Sequence, residues 1–298
     1  MAVSAASTTA GVSRFELTLD ELSLLREHIP GLVLPSFIQS NAVPDEGAAF
    51  AAMRKRELVG EATIASEVDW TATIAPAVKL ALALQMSGDF IFQVTAWTDT
   101  EVTAHSSTVT GGVASGLTAA SARQNAQAPL APAGIVLTLA PVAVLSKSLA
   151  ELLPSTAGAP VAPSSGPLTV GLVESRALVA AIRAGDPRVI DAVAADIHAA
   201  DAQTVFSQLA GPITAGFRVK VFTLSGGCVY SGDWFLGANG WLKISVAASP
   251  APNASVTAQS VTDGGSVTIS AVTAKSIEVE LLSLVSEGVR DNYVERQA

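Results

Sequence analysis

The residues best able to do chemistry in this chain of 298 residues are few and scattered. His28, His105 and His198 fall on different elements, with no spacing that would bring them onto one metal. Cys228 is the only cysteine, so no intramolecular disulfide or thiolate cluster can form. It opens a strand with no His or CxxC partner nearby, which fits a small apolar role better than a nucleophile. Asp186, Asp191 and Asp196 recur every five residues, a spacing that spreads them around a helix instead of converging them on a cation. Gly111-Gly112-Val113-Ala114-Ser115-Gly116 is glycine-rich but leads into no helix that could seat a phosphate. Arg54-Lys55-Arg56 is a short basic run expected to face solvent. GxSxG, GxGxxG, the Walker A loop and HExxH are all absent. The reading is a protein with no catalytic residue, no metal ligand and no cofactor.

Recognition chemistry is more concentrated. Aromatics make up only 5% of the chain, yet Tyr230, Trp234, Phe235 and Trp241 lie close together. Such side chains are favoured at interfaces because they bury much area and keep a polar handle. Arg218, Lys220 and Lys243 alternate with apolar residues on what should be adjacent strands. These seven residues are the candidate partner-binding set, a face able to dock a helical tip bearing acidic groups. The alternative for each aromatic is core packing between sheet and helices.

The elements that must position them follow from periodicity. Residues 135–153 and 267–285 are two versions of one pattern, offset by 132 positions. In each, a period of two changes to about 3.6, the mark of a strand followed by an amphipathic helix. Leu137 then corresponds to Ile269, and Leu149 to Leu281. A strand–helix unit closing each half points to internal duplication.

Taken in order, residues 1–14 read as a disordered tail. A first α/β half spans 15–153, a Pro/Ser/Gly/Ala linker 154–167, a second half 168–290 and a frayed tail 291–298. Phe15 and Leu17 start a strand, and Thr18 with Glu21 has capping-box spacing for a helix. Residues 33–40 suggest a short edge strand, Asp45 a helix cap, and 63–74 a second helix. Alternation of Val78, Leu80, Leu82 and Leu84 predicts a strand over 78–86, followed by strands at 89–97 and 101–109. Residues 111–133 read as a long loop. In the second half, a strand at 168–173 precedes helices at 174–183, from Asp186-Pro187 onward, and at 201–209. Strands at 217–224, 228–236 and 241–247 form a meander, and the loop 248–265 leads to the final strand and helix, ending near Val289. The expected fold class is α/β of the α+β type: two similar halves related by a pseudo-twofold axis, sharing a broad, mostly antiparallel sheet flanked by helices.

Composition agrees with large buried faces: 49% hydrophobic against 14% charged residues. A net charge of −9 makes nucleic acid an improbable partner. The start, MAVSAASTTAGVSR, lacks a basic region and a long apolar core, so it does not read as a signal peptide. The longest apolar run, 130–145, is broken by Pro132, Gly134 and Pro141, so no membrane insertion is expected. These features fit a cytoplasmic protein.

The stretches RELVGEATIASEVDWTATIA leading into VKLALALQM, IVLTLAPVAVLSKSLAELLP, and LVAAIRAGDPRVIDAVAADI followed by FRVKVFTL and a glycine-turned hairpin resemble the EspG family. The resemblance is one of architecture and spacing over roughly residues 15–289. EspG proteins are cytosolic chaperones of the type VII (ESX) secretion systems of actinobacteria, duplicated α/β proteins of this length. The resemblance implies binding of the helical tip of the PPE subunit in a PE–PPE heterodimer, shielding its apolar end and directing it to its secretion system. This chain is poorer in arginine and richer in Ala, Ser and Thr than the family pattern. The competing reading is a small-molecule-binding or enzymatic α/β protein with a pocket between the halves.

Overall fold

The computed structural model describes residues 7–9, 11–38, 44–61, 70–123, 134–155, 167–184, 186–196, 213–223, 227–237, 240–248 and 265–295. One sheet of eleven strands organises them, and every pairing is antiparallel. In chain order the strands are β1 (Ser7–Thr9), β2 (Val12–Leu17), β3 (Phe90–Thr98), β4 (Glu101–Thr110), β5 (Val113–Ala122), β6 (Ile135–Pro141), β7 (Leu168–Gly171), β8 (Ala215–Thr223), β9 (Cys228–Gly237), β10 (Gly240–Ala248) and β11 (Gly265–Val272). Across the sheet they run β1-β2-β6-β5-β4-β3-β8-β9-β10-β11-β7. Apart from β1, this order is a palindrome centred on the β3/β8 pair. β3 answers β8, β4 answers β9, β5 answers β10, β6 answers β11, and β2 answers β7. The expected α+β fold with two similar halves is therefore present, and the halves are fused through a shared ladder running from Phe90↔Thr223 to Thr98↔Ala215.

The described helices are α1 (Leu19–His28), α2 (Glu46–Lys55), α3 (Pro76–Ser87), α4 (Leu145–Ala150), α5 (Leu172–Ala184), α6 (Pro187–Asp196) and α7 (Ala274–Glu295). The two closing helices, α4 and α7, cover the centre of one face. Leu145, Leu149, Ile277, Leu281 and Val285 meet Phe92, Val94, Phe217, Val219, Val221, Trp234 and Trp241 there. Leu137 and Ile269, expected to correspond, are both fully buried and lie on β6 and β11, the second strands of their halves. On the opposite face the helices keep to the flanks. α1, α2 and α3 cover β2, β5 and β6 through Leu22, Leu25, Phe50, Met53, Val78 and Leu82, and α5 covers β7 and β11 through Ala181.

Local signals explain several starts. Thr18 accepts from the Glu21 amide at 3.2 Å while the Glu21 carboxylate accepts from the Thr18 amide at 2.8 Å, closing the expected capping box. Asp45 caps α2 through Ala48 N at 3.0 Å, and Thr273 caps α7 through Ser276 N at 3.0 Å. The strands expected at 89–97 and 101–109, and the three of the second meander, form where alternation placed them.

Other expectations are overturned. Residues 78–86 are the helix α3, not a strand. Pro76 supplies its first turn, and Ala, Leu, Lys, Gln and Met are strong helix formers. Val78, Ala81 and Leu82 make its buried stripe, while Leu80, counted toward the alternation, is exposed. The third strand of the first meander is instead β5, inside the stretch read as a loop. Its small residues let α3 lie close: Ser115 Oγ donates to Ala81 O at 2.8 Å, and Gln85 Nε2 donates to Ser115 O at 2.8 Å. The edge strand expected at 33–40 is a 3-10 turn, Ser36–Ile38. Ser7–Thr9 and Val12–Leu17 form a hairpin where a tail was expected, and α7 runs on through Glu295, past the expected end at Val289. The strand expected at 168–173 stops at Gly171, where α5 begins. The helix expected at 201–209 and most of the expected stretches 63–74, 154–167 and 248–265 lie outside the described residues; Trp70–Thr73 form a 3-10 turn.

Arg56 also departs from expectation. It crosses from the end of α2 to donate to Glu16 O and to Glu21, whose side chain is 0% exposed. It is a strut between β2, α1 and α2, not a solvent-facing cation.

Candidate functional site

Among the described residues, the helices leave the central part of one face of the sheet uncovered. On the face covered at its flanks by α1–α3 and α5, the central strands β3, β8 and β9 present a strip that reaches solvent. Strand register fixes its rungs. Ile91 lies beside Phe222; Gln93, Lys220 and Ser231 follow one another across one rung, Thr95, Arg218 and Asp233 across the next, and Trp97, Gly216 and Phe235 across the last. Gln93 and Ser231 are exposed, Ile91, Lys220 and Phe222 half-buried. A register shift between Val221 and Phe222 bulges β9, and Val229 at the bulge is 60% exposed.

The end of the strip is a layered stack. Trp97 lies across Gly216, where a Cβ would collide with the indole. Phe235 packs against it with ring centroids 6.5 Å apart. Above it sits Arg123, its guanidinium 4.9 Å from the Trp97 centroid. Arg123 also donates to Thr98 O at 3.0 Å. One rung along, Arg218 donates to Asp233 in an ion pair. Gly216→Ala is expected to push Trp97 off its seat. It should cost about 1–2 kcal/mol of stability and increase quenching of indole fluorescence by an aqueous quencher. Unchanged quenching would mean that Trp97 does not rest on Gly216.

The seven sequence-derived residues are split by this geometry. Arg218 and Lys220 lie on the strip. Phe235 shares their face but is buried with Leu242, Ile244 and Ala181. Tyr230, Trp234, Trp241 and Lys243 face the other way, beneath α7. Trp234 and Trp241 are core residues, 1% and 3% exposed, so they take the packing role that was the alternative. Glu280 of α7 accepts from Tyr230 Oη at 2.5 Å and from Lys243 Nζ. Burial pushes the Tyr230 pKa up and Glu280 pushes it further, so Tyr230 stays protonated and donates. Lys243 also lies 5.8 Å from the Trp234 centroid. This cluster fastens α7 to β9 and β10. Trp234 and Trp241 are closed off there, while Tyr230 and Lys243 stay half-buried beside Glu280.

Sequence reasoning missed Ile91, Gln93, Trp97, Arg123, Phe222 and Val229. The alternation of β3 was legible, but which of its faces lies bare depends on where the helices settle. Among the described residues, no three of His, Cys, Asp and Glu gather as a metal site. Cys228 is exposed, not the buried apolar residue expected, and lies 3.2 Å from Tyr230 O. Among the described residues no helix is long and apolar enough to cross a membrane. No protein-family model matches the chain, and no curated protein matches it.

Proposed function

We propose that this chain is a cytosolic, non-enzymatic chaperone of a type VII (ESX) secretion system that docks the helical tip of a PE–PPE-like substrate on the bare central strip. The observation that carries the reading is the strip itself: apolar Ile91 and Phe222 interleaved with Gln93, Lys220 and Arg218, with exposed Val229 at the adjoining bulge, in the middle of a palindromic sheet. A strand floor with helices at its flanks offers the end of a helical bundle a surface to rest on. Apolar side chains at such a tip would exchange water for Ile91, Phe222 and Val229. The EspG-like order of elements supports the same reading. Contacts of this mixed character also suit reversible holding, which a chaperone needs before handing its substrate on.

The test is co-purification with PE–PPE-like heterodimers encoded in the same genome, followed by titration. A one-to-one complex is expected. Val229→Asp and Phe222→Ala should each weaken it at least tenfold, as loss of a central apolar contact commonly does, with melting temperatures near the parent's. No complex with any such heterodimer, or full binding by both variants, would overturn the reading.

A further inference from the structure

Among the described residues, the cations along the strip are not equivalent. Arg218 is neutralised by Asp233. Arg123 is spent on the Trp97 face and the Thr98 carbonyl. Lys220 pairs with no carboxylate of the described residues. Its neighbours across the ladder are Gln93 and Ser231, both neutral. The closest acid by register, Asp233, is one rung away and already engaged by Arg218. Lys220 is thus a half-buried cation on the strip, flanked by neutral polar groups and one rung from an ion pair that is already closed.

We propose that Lys220 is the specificity-determining residue of the strip and takes a carboxylate from the tip of the docked helical partner. This rests on the docking reading above and adds the partner's chemistry: an acidic side chain set among apolar ones. The chain's net charge of −9 gives the arrangement its logic. An acidic partner is repelled at long range by the protein as a whole, so it is accepted only where a local cation meets its acid in register. Lysine suits this better than arginine would. Its charge is compact, and its flexible stem can follow a partner that must later leave.

The experiment titrates purified PE–PPE-like heterodimers from the same genome against the parent chain, Lys220→Gln, Lys220→Arg and Lys220→Glu, at low and high salt. Lys220→Gln is expected to bind about 30-fold more weakly, the size of a lost buried charge contact. It should also lose part of the salt dependence. Lys220→Arg should stay within about threefold, and Lys220→Glu should fall below Lys220→Gln. Lysine in place of the partner's tip acid should restore binding to Lys220→Glu. If Lys220→Gln binds like the parent while Val229→Asp does not, the carboxylate inference fails and the docking reading stands. If no heterodimer binds the parent, both fail. A weakening of Lys220→Gln that only tracks a lower melting temperature also overturns the inference, since Lys220 would then be structural.

Discussion

Arg56→Ala should destabilise the fold by about 3–5 kcal/mol, the cost of stripping a buried carboxylate of its cation. Glu21 is 0% exposed, and one of its oxygens is committed to the Thr18 amide at 2.8 Å. The other receives Arg56. Without the guanidinium, that buried oxygen loses its donor. The Glu16 carbonyl loses a donor as well. For a chain of this size the melting temperature should fall on the order of 10 °C. Arg54→Ala is the control. Among the described residues Arg54 reaches an exposed Glu61 at 4.0 Å, a pair expected to contribute under about 1 kcal/mol. Adding Glu21→Gln to Arg56→Ala should recover part of the loss, because the buried group left behind is then neutral. Equal melting of Arg54→Ala and Arg56→Ala would show that the strut carries no weight.

How much of this was legible in the sequence depends on whether the signal was local. Thr18/Glu21 and Asp45 act within one helical turn, and each forms as read. The strand–helix repeat at 135–153 and 267–285 was visible because large apolar residues mark both its periods. β5 was invisible because its pattern is written in Ala, Ser, Gly and Thr, whose sizes matter only once α3 lies on them. α3 was mistaken for a strand because Val78, Leu82 and Leu84 satisfy two periods at once, and only burial shows that Leu80 belongs to neither core. Arg56 lies 35 residues from its acid, so its role as a strut had no local trace. Which face of the central strands lies uncovered was hidden for the same reason at larger scale. Alternation divides β8 and β9 correctly into two faces, with Arg218 and Lys220 on one and Trp234 and Tyr230 on the other. It does not reveal that α4 and α7 cover the second face. Aromatic density therefore drew attention to the core beside the strip.

His105 should make the fold acid-sensitive across a defined window. It lies on β4 facing the α4/α7 side, beside Val94 of β3 and Thr118 of β5. The ring lies over Gly116, where a Cβ would meet its Cε1 at 2.8 Å. Nδ1 is 2.7 Å from Thr118 Oγ1, and Nε2 is buried without a hydrogen-bond partner. An imidazolium there would carry its charge away from water, so burial lowers the pKa from 6.5 to about 4. The sign follows. Between pH 6.5 and 4 the unfolded chain takes up a proton that the folded chain refuses. Stability is therefore intact above pH 6.5, falls as pH drops through the window, and levels off below 4. By linkage the loss is about 2 kcal/mol at pH 5 and about 3 kcal/mol at pH 4. Carboxylates titrating in the same range are shared by a His105→Gln variant, so the difference between the two urea-unfolding curves isolates the histidine. That difference should be flat from pH 8 to 7 and then close in the variant's favour toward pH 4. A difference that stays constant over the whole range would mean that His105 accepts its proton in the folded state as readily as in the unfolded one.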